Sequence, residues 1–320
     1  MTKSIGSAIR ANIVLFGALF ANIGIAVAKF VAAGLTGSSS MLSEGFHSLV
    51  DSANQILLLY GQRRARQPPD AQHPFGYGRE LYFWAFVVAI LIFALGSGIS
   101  IYEGWQHIAA PEPLSDPTVN YVVLGIAFLM EGTSFGIAVR EFAANRGRAG
   151  WWQAIKASKD PASFVVLFED SAALAGLVVA GIGIWASHAL GDPRIDGLAS
   201  IVIGSILAGV AILLAREAKG LLIGESADLQ VTNRVRSMVA ARPEVSSVNH
   251  VRTIHTAPNA VFVAISADFA DRLTMGEGEA LIEQIEDELR GEFPQLSSIY
   301  LRPEKRENAV VTWPGQPTPS

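Results

Sequence analysis

Residues 41–55 read Met-Leu-Ser-Glu44-Gly-Phe-His47-Ser-Leu-Val-Asp51-Ser-Ala-Asn54-Gln55. Glu44, His47, Asp51 and Asn54 follow one another at intervals of three, four and three, which lines them along one helix face. A His and an Asp four apart offer one imidazole nitrogen and one carboxylate oxygen to the same ion. Those donors suit zinc and its neighbours among the divalent metals. Residues 160–173 carry a second polar group, Asp160-Pro-Ala-Ser163-Phe-Val-Val166-Leu-Phe-Glu169-Asp170-Ser-Ala-Ala, with two adjacent carboxylates well inside an apolar run. Neighbouring residues project about 100° apart on a helix. Glu169 and Asp170 therefore cannot easily serve one ion together, and one is a ligand candidate while the other has a different task. The bland alternative for both groups is a polar seam gluing helices together, but such a seam draws on Ser, Thr and Asn rather than carboxylates.

The elements that must hold these residues are membrane spans. Hydrophobic residues make up 50% of the 320-residue chain and charged ones only 17%, against about 25% in an ordinary soluble domain. The deficit is concentrated in six apolar stretches, residues 11–33, 41–62, 81–102, 120–140, 163–186 and 196–215. Each is about 20 residues or slightly more, enough to cross a hydrocarbon layer near 30 Å. The first is too long for a signal peptide and lacks a small-residue cleavage site, so it reads as a retained span. An Asp at such depth costs about 2.5–3.5 kcal/mol on insertion scales, so ionisable residues there normally face a site or cavity. Glu131 in the fourth span is deep enough to belong to this class, whereas Glu103 can reach the interface. Lys29 and Arg140 are expected to snorkel to the cytoplasmic side, and His107 and His188 to be surface residues. The glycines of the third, fifth and sixth spans (Gly96, Gly98, Gly176, Gly181, Gly183, Gly204 and Gly209) fit close helix packing.

Lys and Arg set the orientation. They occur before span 1 (Lys3, Arg10), between spans 2 and 3 (Arg63, Arg64, Arg66, Arg79), between 4 and 5 (Arg146, Arg148, Lys156, Lys159) and after 6 (Arg216, Lys219). The opposite loops carry only Arg194. Both termini are therefore expected in the cytoplasm. A net charge of −5 leaves no electrostatic footprint for nucleic acid. Without cysteine there is no disulfide, no thiolate metal site and no cysteine nucleophile.

After Gly224 the pattern becomes that of a soluble domain. Residues 229–241 read as a helix stopped by Pro243, and 248–254 and 261–269 as strands around the turn-forming Ala257-Pro258-Asn259. Thr274 caps a helix through about Arg290 on the spacing of Leu281, Ile282, Ile285 and Leu289, and 297–301 is a last strand. The expected fold class is a membrane all-α six-helix bundle followed by a small α+β domain of ferredoxin-like type, α-β-β-α-β. The expected division is a cytoplasmic N-terminus (1–10), a transmembrane domain (11–220), a cytoplasmic α+β domain (221–306) and a disordered tail (307–320).

These features together resemble the cation diffusion facilitator family. Gly37-Ser-Ser-Ser-Met-Leu-Ser-Glu-Gly-Phe-His47-Ser-Leu-Val-Asp51 resembles its span-2 signature, and His73-Pro-Phe-Gly-Tyr-Gly-Arg-Glu80 its motif before span 3. Asp170 occupies the span-5 aspartate position and Asp196 opens span 6 as the family's aspartate does. The Leu-Phe-Glu169-Asp170-Ser-Ala-Ala string is similar to the branch holding the mitochondrial zinc transporters. The resemblance covers about residues 10 to 305.

The resemblance implies a divalent-metal/proton antiporter, not an enzyme, working as a homodimer joined through the cytoplasmic domain. It implies no resident cofactor: the divalent cation, Zn2+ foremost, is cargo and protons are the counter-ion. His47, Asp51 and Asp170 would be the ligands. Val166 stands where many members place His or Asp, so Glu169, Glu44, Asn54 or a water would complete the shell, Glu169 foremost. A shell richer in oxygen would shift preference toward Mn2+ or Fe2+. A loop site would use Asp70, His73 and the position of Tyr77, a poor zinc ligand. In the cytoplasmic domain, the positions where zinc-binding members carry His hold Asn249, Ser266, Tyr300 and Arg302, leaving His250 and His255 on one strand and implying dimerisation without a strong metal site. Rival readings are a non-transporting membrane metal sensor, a channel, and an intramembrane enzyme, for which neither H-E-x-x-H nor a Ser-His pairing is present. The absence of a transit peptide fits a bacterial cytoplasmic (inner) membrane.

Overall fold

The structure is a computed structural model of the chain and describes residues 19–20, 22–113, 115–145, 150–151, 154 and 158–309. The expected N-terminal segment 1–10 and the start of the first span lie outside them, as do the Arg146, Arg148 and Lys156 positions and most of the expected tail. The chain divides into two compact units, Met1–Arg64 with Glu80–Lys219, and Ala65–Arg79 with Gly220–Ser320.

The first unit is helical. Its elements are α1 (Asn22–Thr36), α2 (Ser39–Ala65), α3 (Glu80–Ala109), α4 (Thr118–Asn145), α5 (Pro161–Leu190) and α6 (Arg194–Ile223). Among the described residues four helices are long and apolar enough to cross a membrane: α3, α5 and α6, and α4 over Thr118–Ala144. At 27 residues α2 is about 40 Å long, ample for a crossing, but its polar face lowers its hydropathy. From α2 to α6 the helices overrun the expected stretches at both ends. Their outward residues, among them Leu49, Phe83, Leu129, Ile182, Trp185 and Ile212, remain exposed, as a lipid-facing surface requires.

The turn from α1 into α2 is defined closely. Gly37 has φ +68° and its N–H donates to the Ala33 carbonyl, a left-handed cap that only glycine adopts without penalty. Ser38 then caps α2, its Oγ accepting from Met41 N–H at 3.2 Å. Asp196, from the first turn of α6, is buried beneath this junction. It accepts from Ser38 Oγ at 2.9 Å, from Ser40 N–H at 3.2 Å and from Ser40 Oγ, and Ser39 Oγ meets Ser200 Oγ at 2.7 Å. The serine run of the signature is thus the N-terminal cap of α2, tied to α6. At the other end of α2, Arg64 grips Glu80 Oε1 at 3.0 and 3.3 Å, and Trp84 Nε1 donates to Glu80 Oε2 at 2.9 Å.

Glycine lets helices touch, though not at all the expected positions. A Cβ on Gly104 would lie 2.5 Å from the Gly197 carbonyl oxygen, and one on Gly204 would lie 3.0 Å from that of Ser97. The backbones of α3 and α6 are therefore in direct contact. Gly183 packs on Ala199 and Gly176 on Glu44, whereas Gly181 and Gly209 meet nothing within 4 Å. A π turn at Ile92–Ser97 interrupts α3 just before this contact. Gly104→Val is expected to lower stability by about 1–3 kcal/mol through overpacking, read as a lower thermal midpoint of the detergent-solubilised protein; an unchanged midpoint would show that the contact is not close.

The second unit contains α7 (Leu229–Ala240), β1 (Val245–Ala257), β2 (Ala260–Phe269), α8 (Met275–Glu292) and β3 (Leu296–Pro303), the expected α-β-β-α-β order. The sheet order is β1-β2-β3, antiparallel then parallel. Thr274 caps α8 in a full capping box with Glu277. Val261, Val263 and Ile265 of β2 alternate into a core completed by Val235, Val239, Ile285 and Leu289. Loop residues 65–79 cluster with this unit, Phe75 meeting Phe262 edge-on at 5.5 Å. Residues 306–308 form a short 3-10 turn across the expected boundary between the α+β domain and the disordered tail.

Candidate metal centre

On α2, His47 Nδ1 lies 3.4 Å from Asp51 Oδ1. The (i, i+4) spacing brings them together as the helix requires, but without hydrogen-bonding geometry. His47 is buried, and among the described residues both ring nitrogens, like Asp51 Oδ1, lack a hydrogen-bond partner. Buried polar atoms are nearly always bonded, so this group of orphans calls for a ligand. Beside it is a cavity of about 40 Å3 lined by Asp51, Val166, Glu169, Asp170, Glu131 and Ser134, room for a cation or a few waters.

The two span-5 carboxylates diverge as their 100° separation dictates, though both border the cavity. Glu169 Oε1 accepts from Asn54 Nδ2 at 2.7 Å, and Asp170 Oδ2 from Ser134 Oγ at 3.0 Å. With these carboxylates turned to neutral donors, no group of three or more His, Asp or Glu among the described residues is arranged to hold a metal ion. Ligation would need Glu169 or Asp170 to exchange its amide or hydroxyl partner for the ion.

Glu44 is placed differently. Lys29 is fully buried, not snorkelling, and its ammonium donates to Glu44 Oε2 at 2.9 Å, Ser48 Oγ at 2.8 Å and Glu131 Oε1 at 3.1 Å. Arg140, near the end of α4, is exposed. His188 is not a bare surface residue, since Nε2 lies 2.7 Å from the Ser115 carbonyl and Nδ1 2.9 Å from that of Ile184.

Asp70 and His73 lie in the 65–79 loop, in the other compact unit. Asp70 acts as a turn residue, Oδ1 accepting from the Gln72 and His73 N–H groups and Oδ2 from Tyr77 hydroxyl at 2.6 Å. His73 stacks on Tyr77 with ring centroids 4.1 Å apart. The Tyr77 hydroxyl, with the two backbone donors, holds the exposed Asp70 carboxyl below the usual carboxylate range. Tyr77→Phe should return it part of the way, read as an upward-shifted carboxyl titration by NMR; an unmoved titration would show that the hydroxyl is not bound there.

In the α+β unit, Asn249 donates to Ser266 Oγ at 3.1 Å and to the Glu304 carbonyl at 2.8 Å, while Ser266 donates to Glu304 at 2.6 Å. Arg302 pairs with Glu304 at 3.4 Å. These side chains are committed to one another. Partial burial, aided by Arg252, holds His250 below the usual histidine range.

The cation efflux transmembrane domain matches residues 15–223, and the cytoplasmic domain of cation efflux proteins matches residues 227–305. The chain belongs to the cation efflux family, the cation diffusion facilitators. Members of this family are transporters, not enzymes. This cation efflux protein is 33% identical over 260 residues to metal tolerance protein C4 of Arabidopsis thaliana, covering 81% of the chain and 57% of the relative. It is 30% identical over 247 residues to the human mitochondrial proton-coupled zinc antiporter SLC30A9, covering 77% and 44%. With the cation-efflux pump FieF of Yersinia enterocolitica it shares 27% identity over 261 residues, 81% of each chain. The cation efflux protein thus spans about half the length of the first two relatives.

Proposed function

We propose that this protein moves a divalent cation, Zn2+ foremost, out of the cytoplasm in exchange for protons by alternating access. The observation that carries the reading is the buried, unpartnered His47–Asp51 pair beside a carboxylate-lined cavity in a membrane-spanning unit. The ion would bind deprotonated His47, Asp51 and Asp170, with Glu169 as the further donor. Protons compete for the same lone pairs: a protonated imidazole has none to give, and neutral carboxyls bind metal weakly. An inward proton gradient would then drive metal outward. The relative described as a proton-coupled zinc antiporter supports both ion and coupling.

The reading sets both ends of the chain on the cytoplasmic side of a bacterial inner membrane and makes the protein a homodimer through its α+β domain. Similarity to an efflux pump of a bacterium supports the first, and the match over residues 227–305 the second. A Mn2+- or Fe2+-selective protein is the second reading, favoured by a cavity that presents carboxylates and a single nearby imidazole.

The test is zinc and manganese flux into proteoliposomes with and without an imposed pH gradient. Gradient-driven zinc flux is expected. Manganese flux alone would transfer the reading to the oxygen-preferring ion, and metal binding without flux of either would make the protein a sensor.

A further inference from the structure

Val166 and Asp170 line the cavity one helical turn apart on α5, yet Val166 brings no donor atom. From α4 come Glu131 and Ser134, and Ser134 is engaged with Asp170. Glu131 is held by one oxygen only. Its Oε1 accepts from Lys29 at 3.1 Å, while Oε2 is buried and, among the described residues, has no hydrogen-bond partner. A buried carboxylate oxygen without a donor is costly. Lys29 cannot relieve it by swinging across, because the same ammonium is fixed to Glu44 and Ser48. Glu131 lines the same cavity as Asp51 and Asp170, so a cation drawn to those two meets its charge as well.

Resting on the transport reading above, we infer that Glu131 is a ligand of the bound divalent cation. It supplies from α4 the donor that Val166 omits from α5, and Lys29 is the positioning residue that leaves its second oxygen to the cavity. The site would then draw on α2, α4 and α5 and take more oxygen than nitrogen.

The probe is Zn2+ alone, titrated calorimetrically into the purified full-length protein in detergent, with flux measured separately in proteoliposomes. Glu131→Gln preserves shape and leaves Lys29 paired with Glu44, so the fold should survive, as monodisperse elution would verify. Zn2+ affinity should fall by at least about 10-fold, the lower end of what loss of an outer-shell partner costs. Val166→Asp introduced into Glu131→Gln should restore most of the loss, because an Asp one turn from Asp170 faces the same cavity. A purely structural role for Glu131 would not be repaired by a carboxylate on another helix. Wild-type affinity in Glu131→Gln overturns the inference, and so does a loss that Val166→Asp fails to repair. Wild-type protein that binds Zn2+ without moving it would remove the transport reading and leave this ligand assignment standing.

Discussion

Asp51→Ala is expected to abolish metal flux while leaving a folded protein. The two halves of that result have separate causes. Asp51 Oδ1 makes no hydrogen bond among the described residues, so truncation breaks nothing that holds helices together and only enlarges a cavity that is already there. For the cation the change is severe. Asp51 Oδ1 lies 3.4 Å from His47 Nδ1 on the same helix face, and on the proposed reading losing a direct ligand should cost at least the roughly 10–100-fold that follows loss of an outer-shell partner. The measurement is zinc uptake into proteoliposomes alongside thermal unfolding in detergent. Retained flux would sink the assignment of the site. Lost flux with a lowered unfolding midpoint would show instead that Asp51 is structural.

Lys29→Met should have the largest effect on stability. The ammonium pairs with both Glu44 and Glu131 from a fully buried position, at 2.9 and 3.1 Å. Removing it leaves two carboxylates facing each other in a low-dielectric interior. Breaking a buried ion pair from one side costs about 3–5 kcal/mol, whereas replacing every member by neutral groups is often close to neutral. Lys29→Met is thus expected to lower the unfolding midpoint sharply, and the triple variant Lys29→Met, Glu44→Gln, Glu131→Gln to recover most of it. A single variant as stable as the parent would mean that the triad is not ionised.

What the sequence makes legible is what local periodicity encodes. His47 and Asp51 share one helix, so a four-residue spacing is enough to bring them together, and alternation in β2 with the turn at Ala257-Pro258-Asn259 is enough to specify the hairpin. The partnerships that escape are those made across the bundle. Lys29 finds Glu131 from 102 residues away, Asn54 finds Glu169 from 115 and Ser40 finds Asp196 from 156. No pattern within one helix announces them. Glu44 illustrates the consequence: its position on the polar face is correct for a ligand, but a lysine from α1 holds one of its oxygens. The glycines divide in the same way, since composition shows that small residues are present but not which of them meet a neighbour. Gly104 and Gly197 bring two helix backbones together without standing out in the sequence.

Where α3 and α6 touch, the gear teeth are few and each sits on bare backbone: Ile201 rests on Gly104, Ile108 on Gly197 and Ile101 on Gly204. Moving the alignment by one notch would carry each tooth off its glycine and onto a side chain. The two helices are therefore best regarded mechanically as a single plank. A rearrangement that carries an ion across the bilayer is expected to move that plank whole.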